Sequence, residues 1–524
     1  MTAKAPSSVV RNFASRVRAL CSGTLLSRIS GLFRDLAMTY LFGANEATAG
    51  FILAFRFSTF LRRFFGEGPL QAIFIPHFEG LRLKDEGRAY LFFRQLSFLL
   101  LSILFLLVGL VEIGLIGSLR FSLWSAANRE VILFTLPLLP ALIMISLYGL
   151  NISLLQCHNA FFLSSIGPFL CNLCWIVGAF ILKNHEIKVA MSRLTIWVFF
   201  GFFLQWIITL PFIFNRAKGA LSEWINVKFY LLSREIKALF CSFGWGFVGI
   251  GAVQLNVFFD AIFARCADST GPVYLWHGGR IQQFALAMFG TSIVHTLAPA
   301  LSQAVKKRDL EGGSGIFAFG YRRIVTLLVP CTAAIICLGD IGLSCLHGRG
   351  EFSSLSVTRT YHCLVAYTLG LVPSALAIFY ATVLHAEGRT YYLSLCSVAM
   401  VIINLSLDAL FVFLFHWGSV STALATAIAV WSHLFLLRRG VEKGRWVSQF
   451  SLRDWGHLCL VTLLASSFTS LSVHLTPYKW VSLLMGISIF SLTLVGYALL
   501  FDHIDLKNLL RESLMKQKKR VLPT

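Results

Sequence analysis

Charge is what this chain lacks most. Only 13% of its 524 residues are Asp, Glu, Lys or Arg, about half the share of an average soluble domain. Acid is scarcest, with 24 Asp and Glu against 45 Lys and Arg. Hydrophobic residues fill the gap at 57%, and mean hydropathy is +0.74. This balance excludes a disordered chain, a nucleic-acid-binding domain and an ordinary soluble enzyme. There is no GxxxxGK[ST] stretch, so nothing points to ATP hydrolysis. None of the 13 histidines forms HExxH. The 12 cysteines are scattered and mostly lie in apolar runs. They act as small buried hydrophobes and not as a disulfide framework. Cys171-Asn172-Leu173-Cys174 is a CxxC by spacing alone, without a second pair.

Long apolar runs are present instead. A bilayer core takes about 20 apolar residues per helix. Roughly 14 segments qualify, near 20-41, 50-75, 96-116, 131-155, 160-182, 194-214, 236-263, 274-300, 318-345, 361-384, 391-415, 418-438, 455-474 and 480-501. Lys4, Arg11, Arg16 and Arg18 precede the first run, and no small-residue cleavage site follows it, so it reads as a retained span. An even number of spans puts both termini on one side. About 30 Lys and Arg fall on that side and roughly nine on the other, which marks the former as cytoplasmic. Lys306-Lys307-Arg308, Arg438-Arg439 and the Lys516–Arg520 tail are part of that bias. The Gly312-Gly313-Ser314-Gly315 stretch reads as a flexible cytoplasmic linker.

A weak internal repeat divides the chain. Pro140, then Leu155-Gln156-Cys157-His158-Asn159-Ala160, then Asn172 parallels Pro373, then Leu384-His385-Ala386-Glu387-Gly388-Arg389, then Asn404. Each half reads as apolar helix, short cytoplasmic turn, apolar helix. The expected organisation is a cytoplasmic segment at 1-19 and an N-terminal six-helix bundle at 20-215. A linker at 216-235, a C-terminal six-helix bundle at 236-438 and a second linker at 439-454 follow. A last helix pair at 455-501 and a basic cytoplasmic tail at 502-524 complete it. Such repeats commonly set a substrate site at their interface.

About six cations remain inside the spans, where each Arg costs about 2.5–3.5 kcal/mol at mid-bilayer. They are Arg28, Arg34, Arg56, Arg62, Arg63 and Arg280. At about 100° per residue, Thr24, Ser27, Arg28, Gly31, Arg34 and Asp35 fall within about 120° of one another. The first span is thus expected to turn one basic face toward a cavity. On the second span Arg56, Thr59, Arg63 and Glu67 share a side, with Arg62 at its edge. Gly66-Glu67-Gly68-Pro69 should loosen that helix. The simpler reading is that these arginines snorkel or bind backbone carbonyls. The functional reading is an anion site, because guanidinium forks suit phosphate or carboxylate oxygens. A cation excess matches a diphosphate. Asp260, Asn404, Asp408, Thr422 and Thr426 are further intramembrane polar groups. They could hold Na⁺ or a proton, or only join helices by hydrogen bonds.

Residues Ser27-Arg28-Ile29-Ser30-Gly31-Leu32-Phe33-Arg34-Asp35, then Phe42-Gly43-Ala44, Leu61-Arg62-Arg63, Glu67-Gly68 and Pro76 carry a resemblance. They are similar to the N-terminal signature of the MurJ/MviN lipid II flippases, of the multidrug/oligosaccharidyl-lipid/polysaccharide exporter superfamily. The resemblance covers essentially the whole chain. It implies an all-α integral membrane protein of about 14 transmembrane helices. Two six-helix bundles would surround a central cationic cavity, and the last two helices would line a groove for the lipid tail. The implied activity is transport, not enzymatic catalysis: lipid II, the undecaprenyl-diphosphate-linked peptidoglycan precursor, moves from the cytoplasmic to the outer leaflet by alternating access. The diphosphate ligands would be Arg28, Arg34, Arg62 and Arg280. Ser27, Gly31, Asp35, Arg63 and Glu67 would support them. Some members bind Na⁺ through residues matching Asp260, Asn404, Asp408 and Thr426, so Na⁺ or proton coupling is expected without any other cofactor. Expected partners are lipid II, membrane lipids and other cell-wall synthesis proteins, in the bacterial cytoplasmic (inner) membrane. The chain departs from the pattern at Ala49 and Gly279, where the family usually has acids, and at Phe57-Ser58-Thr59. Alternatives are a flippase for another polyprenyl-diphosphate glycan and a drug/cation antiporter. A prenyl-phosphate enzyme fits less well, because clustered carboxylates are missing.

Overall fold

A computed structural model describes residues 7–60, 69–121, 124–158, 160–217, 234–442, 451–473 and 475–500. Within them, the side chains at 7–24, 69–73, 161, 164, 216–217, 234–247, 250, 310, 442 and 498–500 lie outside the description. The described residues form helices joined by short turns, with no strand among them. By contact the chain divides into two compact units, Met1–Phe258 and Phe259–Thr524.

The first unit holds α1 (Ser7–Phe42), α2 (Glu46–Thr59), α3 (Pro69–Arg82), α4 (Glu86–Arg120), α5 (Ala126–Leu138), α6 (Ala141–Cys157), α7 (Phe161–Leu182), α8 (Ile187–Ile207) and α9 (Leu210–Ala217). Its turns are written in the local sequence. Gly43 takes φ +64°, a left-handed conformation open to glycine, and ends α1. Asn45 then accepts from the Thr48 N–H at 2.9 Å and starts α2. Asp85 caps α4 in the same way through the Arg88 N–H. Pro137 and Pro140 flank a 42° bend between α5 and α6, where each ring removes a backbone donor. α1 packs on α7, and α7 on α8. Phe74, Phe78, Phe92 and Leu104 are fully buried in the core among α3, α4 and α6.

α10 (Arg234–Ala267) carries the unit boundary. The second unit continues with α11 (Gly271–Ala285), a π-helical turn at Leu286–Thr291, α12 (Ser292–Lys307), α13 (Leu310–Leu346), α14 (Ser354–Thr368) and α15 (Leu371–Ala386). Then come α16 (Thr390–Ala409), a second π-helical turn at Leu410–Leu414, α17 (Val420–Glu442), α18 (Leu452–Val473) and α19 (Lys479–Leu500). In its core Phe317 stacks on Phe379 and meets Tyr380 edge-on. The pair α18–α19 packs on α13. All ten described cysteines are free thiols.

Ten helical segments among the described residues are long and apolar enough to span a bilayer, and the bent α5–α6 pair makes up to eleven. Each matches one expected span. The other three, near 20-41, 50-75 and 236-263, fall on α1, on α2 with α3, and on α10. The expected linker at Gly312-Gly313-Ser314-Gly315 is corrected: these residues form the first turns of α13. Asp309 accepts from the Gly312 N–H at 2.9 Å, and this cap starts the helix despite the glycines.

Candidate functional site

The first polar constellation sits within the first unit. Arg34 on α1 is only 8% exposed. Its Nη2 and Nε donate to Asp35 Oδ1 at 2.7 and 3.1 Å. Adjacent helical residues do not normally face each other. Here the long guanidinium folds back because α7 presses on both. Arg34 Nη1 also donates to Asn172 Oδ1 at 3.0 Å, and its guanidinium lies 4.6 Å from the Trp175 ring centroid. Asn172 Nδ2 in turn donates to the Ser30 hydroxyl at 3.0 Å and the Ser27 carbonyl at 3.3 Å. A Cβ on Gly31 would lie 3.6 Å from that nitrogen. Trp175 is held edge-on by Phe51 and Phe55.

This sharpens the helical wheel: Ser27, Ser30, Gly31 and Arg34 meet Asn172 of α7, and Arg34 and Asp35 are buried. Among the described side chains of that polar group, Arg28 alone is exposed. A wheel reports which residues share a side and not whether protein or water covers it. Asn172 and Trp175 were missed as site residues. The available signal was the repeat, in which Asn172 matches Asn404. Arg56 donates to the Val257 carbonyl at 3.1 Å, as the simpler reading anticipated. Arg62, Arg63 and Glu67 lie outside the described residues. Ala49, where the family usually has an acid, is fully buried.

The second constellation is in the second unit. Asn404 Nδ2 on α16 donates to Asp260 Oδ1 on α10 at 2.6 Å and to Asp408 Oδ2, one turn along, at 3.1 Å. Thr426 Oγ1 on α17 donates to Asp260 Oδ2 at 2.9 Å. Asn404 and Asp408 are wholly buried, and Asp260 is 3% exposed. Thr422, also fully buried, sends its carbonyl to the Thr426 hydroxyl. The four expected residues are thus brought together from three helices. Two carboxylates on one amide are balanced by a cation or a shared proton. Among the described residues, the buried Asn404 Oδ1 and Asp408 Oδ1 have no hydrogen-bond partner. Two open oxygens in an all-oxygen donor set fit a hard cation.

Arg280 lies on α11, exposed, with its guanidinium 4.5 Å from the Trp276 ring centroid one turn earlier. Gly278, two residues before it, is where α11 packs tightly on α14. A Cβ on it would stand 3.1 Å from the Leu364 nitrogen and 3.3 Å from the Thr360 carbonyl of α14. Glycine lets the two backbones approach. The π-helical turn follows Arg280 within two helical turns, a distortion frequent at functional sites.

Residues 38–494 match the family model described as lipid II flippase MurJ. The chain is 30% identical over 456 residues to a probable lipid II flippase MurJ of Chlamydia muridarum (strain MoPn / Nigg), covering 86% of this chain and 83% of the relative. A solved lipid II flippase MurJ in an inward closed conformation is similar at TM-score 0.74 and 22% identity, covering 91% of this chain and 98% of that one. An inward-facing multidrug resistance MATE family transporter of the MOP superfamily shares the fold at TM-score 0.61 and 12% identity, over 79% and 94% of the two chains. With its apolar helices and buried polar clusters, the chain belongs to the MurJ family of lipid II flippases.

Proposed function

We propose that the chain moves lipid II from the cytoplasmic to the outer leaflet of the bacterial cytoplasmic membrane by alternating access, with both termini cytoplasmic. The observation that carries this is a pair of exposed arginines, Arg28 and Arg280, within segments that read as membrane spans. A guanidinium in such a place is costly unless it meets an anion. Arg28, Arg34, Arg62 and Arg280 bind the diphosphate. Arg28 and Arg280 supply exposed guanidinium groups. Arg34 adds its charge from behind while Asp35, Asn172 and Trp175 fix its position. Ser27, Gly31, Arg63 and Glu67 support the ligands, and other cell-wall synthesis proteins are partners.

Asp260, Asn404, Asp408 and Thr426 would hold Na⁺ or share a proton. The bound charge would neutralise the two carboxylates where α10, α16 and α17 meet. Without an ATP motif, the membrane potential and an ion gradient are the remaining driving forces. An inward-negative potential favours outward movement of a negative headgroup. Complementation of a cell depleted of its lipid II flippase tests the reading, with lipid II sidedness measured. Arg28→Ala and Arg280→Ala are each expected to insert but not to support growth. Normal growth on Arg280→Ala alone would sink the proposal.

A further inference from the structure

The end of α13 and the start of α19 bring two cations to one corner. The helices pack side by side: a Cβ on Gly486 would meet Leu338 at 2.6 Å, and one on Gly342 would meet Leu483 at 3.9 Å. Beyond those contacts the Arg349 guanidinium lies 5.4 Å from the Trp480 ring centroid. Lys479, the residue before Trp480, shares with Arg349 electrostatic reach of the Cys345 thiol. Among the described residues neither cationic side chain makes a hydrogen bond or ion pair. Glu351, two residues on, pairs with neither.

Arg349 stands on a fixed loop. The His347 and Gly348 N–H groups close α13 onto the Leu343 and Ser344 carbonyls at 2.7 and 3.1 Å. Gly350 takes φ +64°, and Phe352 is buried against His277 and His347. A cation held in place loses less freedom on binding an anion. α13 starts just after Lys306-Lys307-Arg308 and has 37 residues, so it is about 55 Å long. That length exceeds the bilayer core, and Arg349 therefore lies at the membrane face opposite that cluster. Trp480 and Tyr478 are exposed, as suits headgroup depth. Below the corner, Leu484 and Ile487 continue an exposed apolar stripe along α19. A cationic head and an apolar stripe together suit one chemistry, a phosphate on a hydrocarbon chain.

We propose that Arg349, Lys479 and Trp480 form a lipid-phosphate site at the membrane surface. The phosphate belongs either to an anionic phospholipid of that leaflet or to the diphosphate of the transported lipid on arrival. Only the second source rests on the transport reading above. The test uses the full-length chain carrying Arg28→Ala and Arg280→Ala, so that diphosphate binding at those arginines is removed. Native mass spectrometry then reads occupancy by phosphatidylglycerol and, separately, by undecaprenyl diphosphate. Adding Arg349→Gln with Lys479→Gln is expected to weaken binding about thirtyfold, from roughly 1 kcal/mol of attraction lost per cation. Arg349→Lys with Lys479→Arg is expected to retain it. Loss of phosphatidylglycerol alone identifies the surrounding lipid, and loss of undecaprenyl diphosphate alone identifies the cargo. Loss of both means that the corner reads only phosphate. Unchanged occupancy by both probes overturns the site, whatever the cavity arginines do.

Discussion

Replacing Asp35 with Leu removes the acid from a pair whose side chains are 9% and 10% exposed. Arg34 then loses both bonds to Asp35 Oδ1 and keeps only Asn172 Oδ1 and the Trp175 face among the contacts described above. Stranding one member of a buried pair costs about 3–5 kcal/mol. Arg34→Leu takes the guanidinium away from the buried Asp35 and should cost about the same. The double change Arg34→Leu with Asp35→Leu removes both charges and puts apolar bulk against α7. Such swaps are often neutral or stabilising by about 1–4 kcal/mol. The two singles should therefore melt well below the parent, and the double close to it. Thermal unfolding of the purified chain in detergent, followed by tryptophan fluorescence, reads all four proteins. With each single costing about 3–5 kcal/mol and the double about nothing, the expected coupling energy is about 6–10 kcal/mol, above the roughly 0.5–3 kcal/mol usual for neighbours. Transport should fail in the double despite its recovered stability, because the Arg34 charge is gone. A single Asp35→Leu that melts like the parent would refute the buried pair. A double that transports normally would refute a functional role for its charge.

Asn404→Leu removes an amide that serves two carboxylates at 2.6 and 3.1 Å. Each bond to a charged group contributes about 1.5–3 kcal/mol, so a large drop in melting temperature is expected. The parent should also gain about 2.7 kcal/mol when Na⁺ reaches 100 times its Kd. Asn404→Leu should gain little. A parent whose melting ignores NaCl against choline chloride would leave the shared proton as the balancing charge. Two glycine changes separate packing from propensity. A Cβ on Gly178 would lie 2.5 Å from Trp197 Cγ across α7 and α8, and Gly109 on α4 has nothing within 4 Å. Gly178→Ala should cost about 1–3 kcal/mol through overpacking, and Gly109→Ala should stabilise by about 0.5–1 kcal/mol. Equal melting shifts for the two would contradict these packing distances.

Helices were legible because apolar runs of bilayer length have few other solutions. Burial was less legible, since a polar face looks the same from sequence whether water or another helix covers it. Arg34 shows this: its partners Asn172 and Trp175 lie 138 and more positions away. The Asp260 cluster was legible as a list but not as an arrangement, because its bonds join residues 144 and 166 apart. The repeat links the two cases. Asn172 and Asn404 follow corresponding short turns, Asn172 on α7 and Asn404 on α16, and both are buried. Asn172 accepts from a guanidinium with its oxygen and donates to Ser27 and Ser30 with its nitrogen. Asn404 donates to two carboxylates and leaves its oxygen open. An amide both donates and accepts, so one residue type can serve a cation in the first unit and anions in the second. That open oxygen is the physical reason to expect a cation at Asn404 and none at Asn172, where the arginine already occupies the corresponding place.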